Sequence, residues 1–157
     1  MSSDATFEQG GERAIRLRAE SSEDLTVISS LVQDAVGKTG NVHYAPRRRR
    51  LSLLLYRFRW EDKPRADREK RTPERVAAAL TIDDCIRVRS AKIDPRDREK
   101  VLNLLSLSFD GGEDGTGLLT LTCSAGASLQ AQVECVNVGL VDLTRPWAAG
   151  GTPQHFG

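Results

Sequence analysis

Residues 44–62 read YAPRRRRLSLLLYRFRWED. The fold turns on whether this run is a nucleic-acid arm, a membrane-facing element or a β-strand approached by a charged turn. We read it as the strand. A loop over residues 45–48, helped by the ring-fixed φ of Pro46, joins it to the preceding NVHY in a hairpin. A four-residue loop places Tyr44 opposite Arg49 and Val42 opposite Leu51. Val42, Tyr44, Leu51, Leu53 and Leu55 then share one face, and His43 and Arg50 share the other. Beyond Leu55 the apolar preference changes sides. Arg57 and Arg59 continue the leucine face, while Leu54, Tyr56, Phe58 and Trp60 fill the opposite one. A strand that bends, bulges or passes between two packed layers gives that pattern, whereas a flat one-sided sheet does not. The leucines and rings are therefore expected to be interior packing, with the guanidinium groups facing water.

Upstream, AIRLRA (residues 14–19) alternates and predicts a short first strand. In the ESSEDLTVISSLVQDAVGKTG that follows, Ser21 and Asp24 resemble a helix-opening box. Leu25, Ile28, Leu31, Val32 and Ala35 recur at helical spacing, and Gly37 can supply the left-handed residue that ends a helix. Downstream, the charged KPRADREKRTPER (residues 63–75) holds two prolines and is expected to be a loop, with one helical turn from Thr72 and Pro73. VAAALTIDDCIRVRSAKI suits two strands around Asp83 and Asp84, although its alanines also suit a helix. KVLNLLSLSF is a further strand whose leucines also fit a helix. In GLLTLTCSAGASLQAQVEC, a three-residue loop over 125–127 sets Cys123 against Leu129, Leu121 against Ala131 and Leu119 against Val133. VNVGLVDL is expected to be a short closing helix.

The predicted fold class is α+β and mainly antiparallel. Seven or eight strands form a rolled meander, a barrel or a two-layer sandwich, with a pleckstrin-homology-like roll as one specific form on element order. One amphipathic helix lies near the N-terminus and a short helix near the C-terminus. A single globular domain over residues 13–147 is expected, between a disordered segment at 1–12 and a flexible tail at 148–157.

The 157 residues suffice for one domain with its own core. A net charge of +1 gives no global field toward DNA or an anionic membrane. The charge is uneven, since residues 45–75 hold 12 basic and 5 acidic side chains. MSSDATFEQGGER has no apolar signal region, and no apolar run approaches the roughly 20 residues of a membrane span. A cytoplasmic protein with reduced thiols is expected.

The cysteines at 85, 123 and 135 and the histidines at 43 and 155 form no CxxC or HxxxH pair, so no metal site is expected. All three cysteines are expected to be small buried residues. No GxSxG elbow or P-loop occurs, and GGEDGTG lacks the Lys-Ser/Thr of a phosphate cradle. No catalytic residue and no cofactor follow from the sequence. What remains is a basic binding surface of Arg47, Arg48, Arg49, Arg50, Arg57 and Arg59. It suits an interaction module with an acidic protein partner. The alternatives are RNA or single-stranded DNA binding through residues 45–75, where nearby rings could stack on bases, and a small-ligand binder or enzyme using a barrel mouth.

Four segments, AESSEDLTVISSLVQDAV, LLLYRFRWED, CIRVRSAKI and VECVNVGLVDLTRPW, together resemble a family of small alphaproteobacterial proteins, the domain of unknown function numbered 2948. The resemblance spans residues 15–147. It implies a compact cytosolic bacterial protein with no assigned cofactor or catalytic residue, so no site is carried over.

Overall fold

A computed structural model of the chain describes residues 14–72, 74–143 and, as backbone only, 147–148. The expected disorder at 1–12 and the tail beyond Ala148 lie outside the described residues. In chain order the elements are β1 (Arg16–Ala19), α1 (Ser22–Leu31), β2 (Ala35–Lys38), β3 (Val42–Ala45), β4 (Arg50–Phe58), α2 (Lys63–Arg68), β5 (Glu74–Ile82), β6 (Cys85–Ala91), β7 (Val101–Gly111), β8 (Gly117–Cys123), β9 (Ser128–Val133), β10 (Val138–Asp142) and β11 (Trp147–Ala148).

The opening stretch is β4, and the sheet is organised around it. One edge of β4 pairs with β5 from Leu51↔Ile82 to Phe58↔Arg75. The other edge is shared by β3 along its first half and β2 at Val36↔Tyr56. The strands follow the order β1-β10-β5-β4-β2-β7-β8-β9-β6, with β3 on β4 and β11 on β5. Every pairing is antiparallel. The described sheet is open, since β1 and β6 end the path without pairing to each other. It has eleven strands, not seven or eight.

The expected C-terminal helix is β10, which corrects the element order behind the pleckstrin-homology-like roll. Val138, Leu140 and Asp142 are in phase and buried, and β10 is held on both sides, by β1 and by β5. In a strand with two partners, β-branched valines pack well on the pleated surface. Residues 63–68, expected as loop, form α2, with Pro64 in its first turn and Ala66 buried.

At α1 the Ser21 side chain accepts from the Asp24 N–H at 3.1 Å, so Ser21 caps the helix and forms the serine half of the expected box. The helix stops at Leu31, however, and Asp34 (φ 63°) swings the chain into β2. Ala35 and Gly37 are therefore strand residues. A Cβ at Gly37 would lie 2.8 Å from Leu54 O, so β2 approaches β4 too closely for a side chain there.

The interior is apolar through most of its depth. Leu51, Leu53 and Leu55 meet Leu80, Ile82, Val138 and Leu140 on one side, and Leu102, Leu104, Leu107, Leu119, Leu121, Leu129 and Val133 on the other. Leu25, Ile28 and Val32 add the buried stripe of α1. Each such burial contributes about 1.5–3 kcal/mol. A bulge in β7 between Leu104 and Ser106 reverses side-chain parity. Leu102 and Leu104 before it and Leu107 after it can then all face inward, which is why KVLNLLSLSF also looked helical.

Both hairpins keep the expected faces and shift register by two residues. Val42 opposes Leu53 and Tyr44 opposes Leu51, with Arg49 at φ 50° in the turn. Leu121 opposes Leu129 and Leu119 opposes Ala131, with Ala125 and Gly126 at φ 60° and 77°. The two strands around Asp83 and Asp84 form as β5 and β6, but β6 leaves β5 and pairs with β9.

Candidate functional site

The alternation of β4 runs unbroken through its arginines. Leu51, Leu53 and Leu55 are buried, and so are Arg57 at 0% and Arg59 at 1% exposure. This corrects the expectation that these two guanidinium groups face water. Beneath the Leu55–Ala78–Leu140 level the interior turns ionic. Arg57 Nε and Nη2 donate to the two carboxylate oxygens of Asp142, each at 2.9 Å. Arg57 Nη1 and Nη2 donate to Glu61 at 3.0 and 2.8 Å, and Nη1 also donates to Phe58 O at 2.9 Å. Asp142 additionally accepts the Ile15 N–H at 2.9 Å, and the Asp142 N–H donates back to Ile15 O at 2.9 Å.

Beside this pair, Arg59 Nη1 donates to Glu74 at 2.5 Å, and its Nε lies 3.6 Å from Glu61. Arg59 Nε and Nη2 make no hydrogen bond. Arg71 Nη1 lies 2.9 Å from the buried carboxylate of Asp62, and Ala66 of α2 packs over this end of the interior. Burial opposes the Arg57 charge, but hydrogen bonds and charge from Glu61 and Asp142 outweigh it, so its pKa is raised. Burial would likewise raise Glu61, yet the Arg57 guanidinium and the neighbouring Arg59 charge hold it below the ordinary carboxylate value. Arg57 is fully coordinated by its own chain, whereas Arg59 keeps two buried donors without a hydrogen bond. A buried pair of this kind is costly to break from one side.

The other four arginines divide at the β3–β4 turn. Arg50 Nε donates to Asp83 at 2.6 Å, Arg18 also reaches Asp83, and Arg49 pairs with Glu134. The hydrogen bond and charge of Asp83 raise the Arg50 pKa. Arg47 and Arg48 are exposed and make no ion pair among the described residues. The turn is docked on the start of β6, where Cys85 N donates to Arg49 O at 2.9 Å and Tyr44 Oη donates to Cys85 O at 2.9 Å. From there β6 carries Arg87 and Arg89, both exposed and without an ion pair among the described residues, on one face of the strand. These two were not among the candidate residues read from the sequence, although the alternation in CIRVRS was visible.

Much of the charge in residues 45–75 is spent internally. Arg49, Arg50, Arg57, Arg59, Lys63, Arg65 and Arg71 are all ion-paired within the chain. The rings are engaged too. Phe58 and Trp60 lie 5.4 Å apart, Arg75 sits 4.4 Å over Phe58, and Trp60 Nε1 donates to Gln33 O at 2.8 Å.

Cys85 and Cys123 are buried thiols, as expected. Cys135 is exposed, which corrects its expected burial. Its Sγ donates to Asp84 Oδ2 at 3.3 Å, and that carboxylate, with some desolvation, raises the thiol pKa. The apolar void behind Leu53 and Leu104 measures about 10 Å³, close to the space of a single water. Two larger clefts lined by described residues are superficial, one of about 370 Å³ by Lys92 and Lys100 and one of about 240 Å³ by Tyr56 and Arg98. Among the described residues no group of three or more His, Cys, Asp or Glu could hold a metal ion, and no helix is long and apolar enough to cross a membrane.

No curated protein and no solved structure matches the chain. A family model described as "Protein of unknown function (DUF2948)" matches residues 15–155, nearly the whole length, and the protein belongs to that family.

Proposed function

We propose that the protein is a non-catalytic interaction module that engages an acidic protein partner through Arg47, Arg48, Arg87 and Arg89. The observation that carries this is selective neutralisation. Arg49 and Arg50 at the β3–β4 turn are matched to Glu134 and Asp83, while Arg47 and Arg48 at its tip are exposed and without an ion pair among the described residues. Unpaired rim charges speed encounter and set partner sign more than they add affinity. Of the six arginines read in the sequence, Arg57 and Arg59 are inside and Arg49 and Arg50 are ion-paired, which leaves Arg47 and Arg48, to which Arg87 and Arg89 of β6 are added. Three free thiols favour a reducing, cytoplasmic setting.

The test is fluorescence anisotropy with a labelled decaglutamate peptide and, in parallel, a labelled oligothymidine. We expect the acidic peptide to bind and Arg47→Ser/Arg48→Ser to weaken it severalfold. The melting temperature should hold, since exposed substitutions usually stay within about 0.5 kcal/mol. Peptide affinity indifferent to both substitutions removes this surface. Oligothymidine binding that collapses as salt rises would replace the acidic partner with nucleic acid.

A further inference from the structure

The strand β6 ends the sheet. One of its edges pairs with β9 from Cys85↔Val133 to Ala91↔Ser128, with a bulge between Cys85 and Arg87. On its other edge, among the described residues, the backbone hydrogen bond is the one from Cys85 N to Arg49 O, and the Cys85 thiol reaches Arg87 O at 3.4 Å. Among the described residues no strand covers residues 86–91 on that side. Such an edge presents a row of N–H and C=O groups ready to pair with an added strand.

The side chains decide what kind of strand. Ile86, at the bulge, is 48% exposed and offers an apolar contact. Arg87 and Arg89 project to one face, beside Gln132 and Gln130 of β9. A second copy of β6, paired antiparallel about Val88, would put Arg87 of each copy opposite Arg89 of the other. Like charges directly opposed across a ladder destabilise it. A strand with carboxylates at alternate positions meets the same two arginines with opposite charge. At the Cys85 end the docked turn occupies the edge through Arg49 O and stops the added strand, and Arg47 and Arg48 belong to that same turn.

We propose that β6 is a strand-addition site for an extended, acidic segment of a partner protein, about six residues long, with acids at every second position. This rests on the interaction-module function and specifies how the partner is held.

The probe is the synthetic heptapeptide Thr-Glu-Val-Glu-Val-Glu-Thr, together with two versions N-methylated at alternate residues, one for each register. Binding is read by anisotropy and by hydrogen exchange. We expect the parent peptide to bind and to slow exchange of amides within residues 86–91. At least one N-methylated version should lose about tenfold in affinity, as expected when a strand-forming hydrogen bond is removed from each repeat. Arg87→Ser/Arg89→Ser should weaken the parent peptide comparably without shifting the melting temperature. Equal binding of all three peptides with no protection at 86–91 overturns strand addition. In that case, sensitivity to Arg47→Ser/Arg48→Ser leaves the interaction module standing. A protein dimer that protects residues 86–91 without peptide overturns it in favour of a second copy. No binding of heptapeptide or decaglutamate overturns both.

Discussion

Asp142→Asn isolates the contribution of the buried ionic layer. The substitution keeps the shape and removes the charge. Asp142 accepts from Arg57 Nε on one oxygen, and from Arg57 Nη2 and Ile15 N on the other. An asparagine amide has one acceptor, so its better orientation keeps the two-donor side and turns its own NH₂ toward Arg57 Nε. One buried donor is then unsatisfied, and the guanidinium, at 0% exposure, retains Glu61 as its charge partner. Removing one member of a buried pair costs about 3–5 kcal/mol, and the surviving Glu61 contact places this case near 3 kcal/mol. For a chain of this size each kcal/mol moves the melting temperature by about 2–4 °C, so a drop of roughly 6–12 °C is expected by calorimetry. Urea titration should show a lower midpoint with an unchanged slope. A double-mutant cycle sharpens the test. Arg57→Met alone should be as damaging, whereas Arg57→Met with Asp142→Leu should recover part of the loss, since an apolar pair replaces the buried ions while Glu61 and the Ile15 N–H lose a partner. An Asp142→Asn variant within about 1 kcal/mol of the parent, or a cycle with no coupling, would refute the claim that this pair fixes β4 to β10.

Acid should act through Glu61. Its folded pKa lies below the ordinary 4.5, so its stabilising contribution is complete above that value and is lost as pH falls through the lower, folded one. Melting temperature should therefore decline below pH 4.5, and Glu61→Gln should flatten that decline; an equally steep profile in the variant would count against it. In native protein, iodoacetamide should modify Cys135 before the buried Cys85 and Cys123, and slowly, because Asp84 disfavours the thiolate. Asp84→Asn should accelerate it, as mass spectrometry would show. Gly37→Ala drives a methyl against Leu54 O and should cost about 1–3 kcal/mol in denaturant titrations; a neutral result would mean that β2 can move away from β4.

The sequence resolved faces better than partners. The cap at Ser21, the inward set Val42, Tyr44, Leu51, Leu53 and Leu55, and the inward set of the β8–β9 hairpin all stand as read. A register error of two residues preserves side-chain parity, so the faces survived while the loops did not. Loop length depended on positive φ at Arg49 and Ala125, which neither residue type advertises. Burial of Arg57 was hidden for a different reason. Its matching carboxylate lies 85 positions away in the sequence, on a segment expected to be helical. A signal was present, however. Arg57 is in phase with three leucines of one strand, and Asp142 is in phase with Val138 and Leu140 of another. An in-phase cation and an in-phase acid at corresponding ends of two apolar strands are a recognisable sign of an internal ion pair. The proposed surface was half visible in the sequence: Arg47 and Arg48 were among the arginines read there, whereas Arg87 and Arg89, on a strand paired with the distant β9, were not.

The position of β10 between β1 and β5 has a consequence for biosynthesis. The strand of residues 16–19 finds its strand neighbour only once residues 138–141 have been made. Until then the nascent polypeptide carries two naked borders, and Arg57 lacks the acid that makes its burial tolerable. Vectorial synthesis thus cannot complete this architecture piecemeal. Such non-local pairing is intrinsically slow and open to aggregation, so premature termination before residue 138 would leave an aggregation-prone fragment and not a smaller working protein.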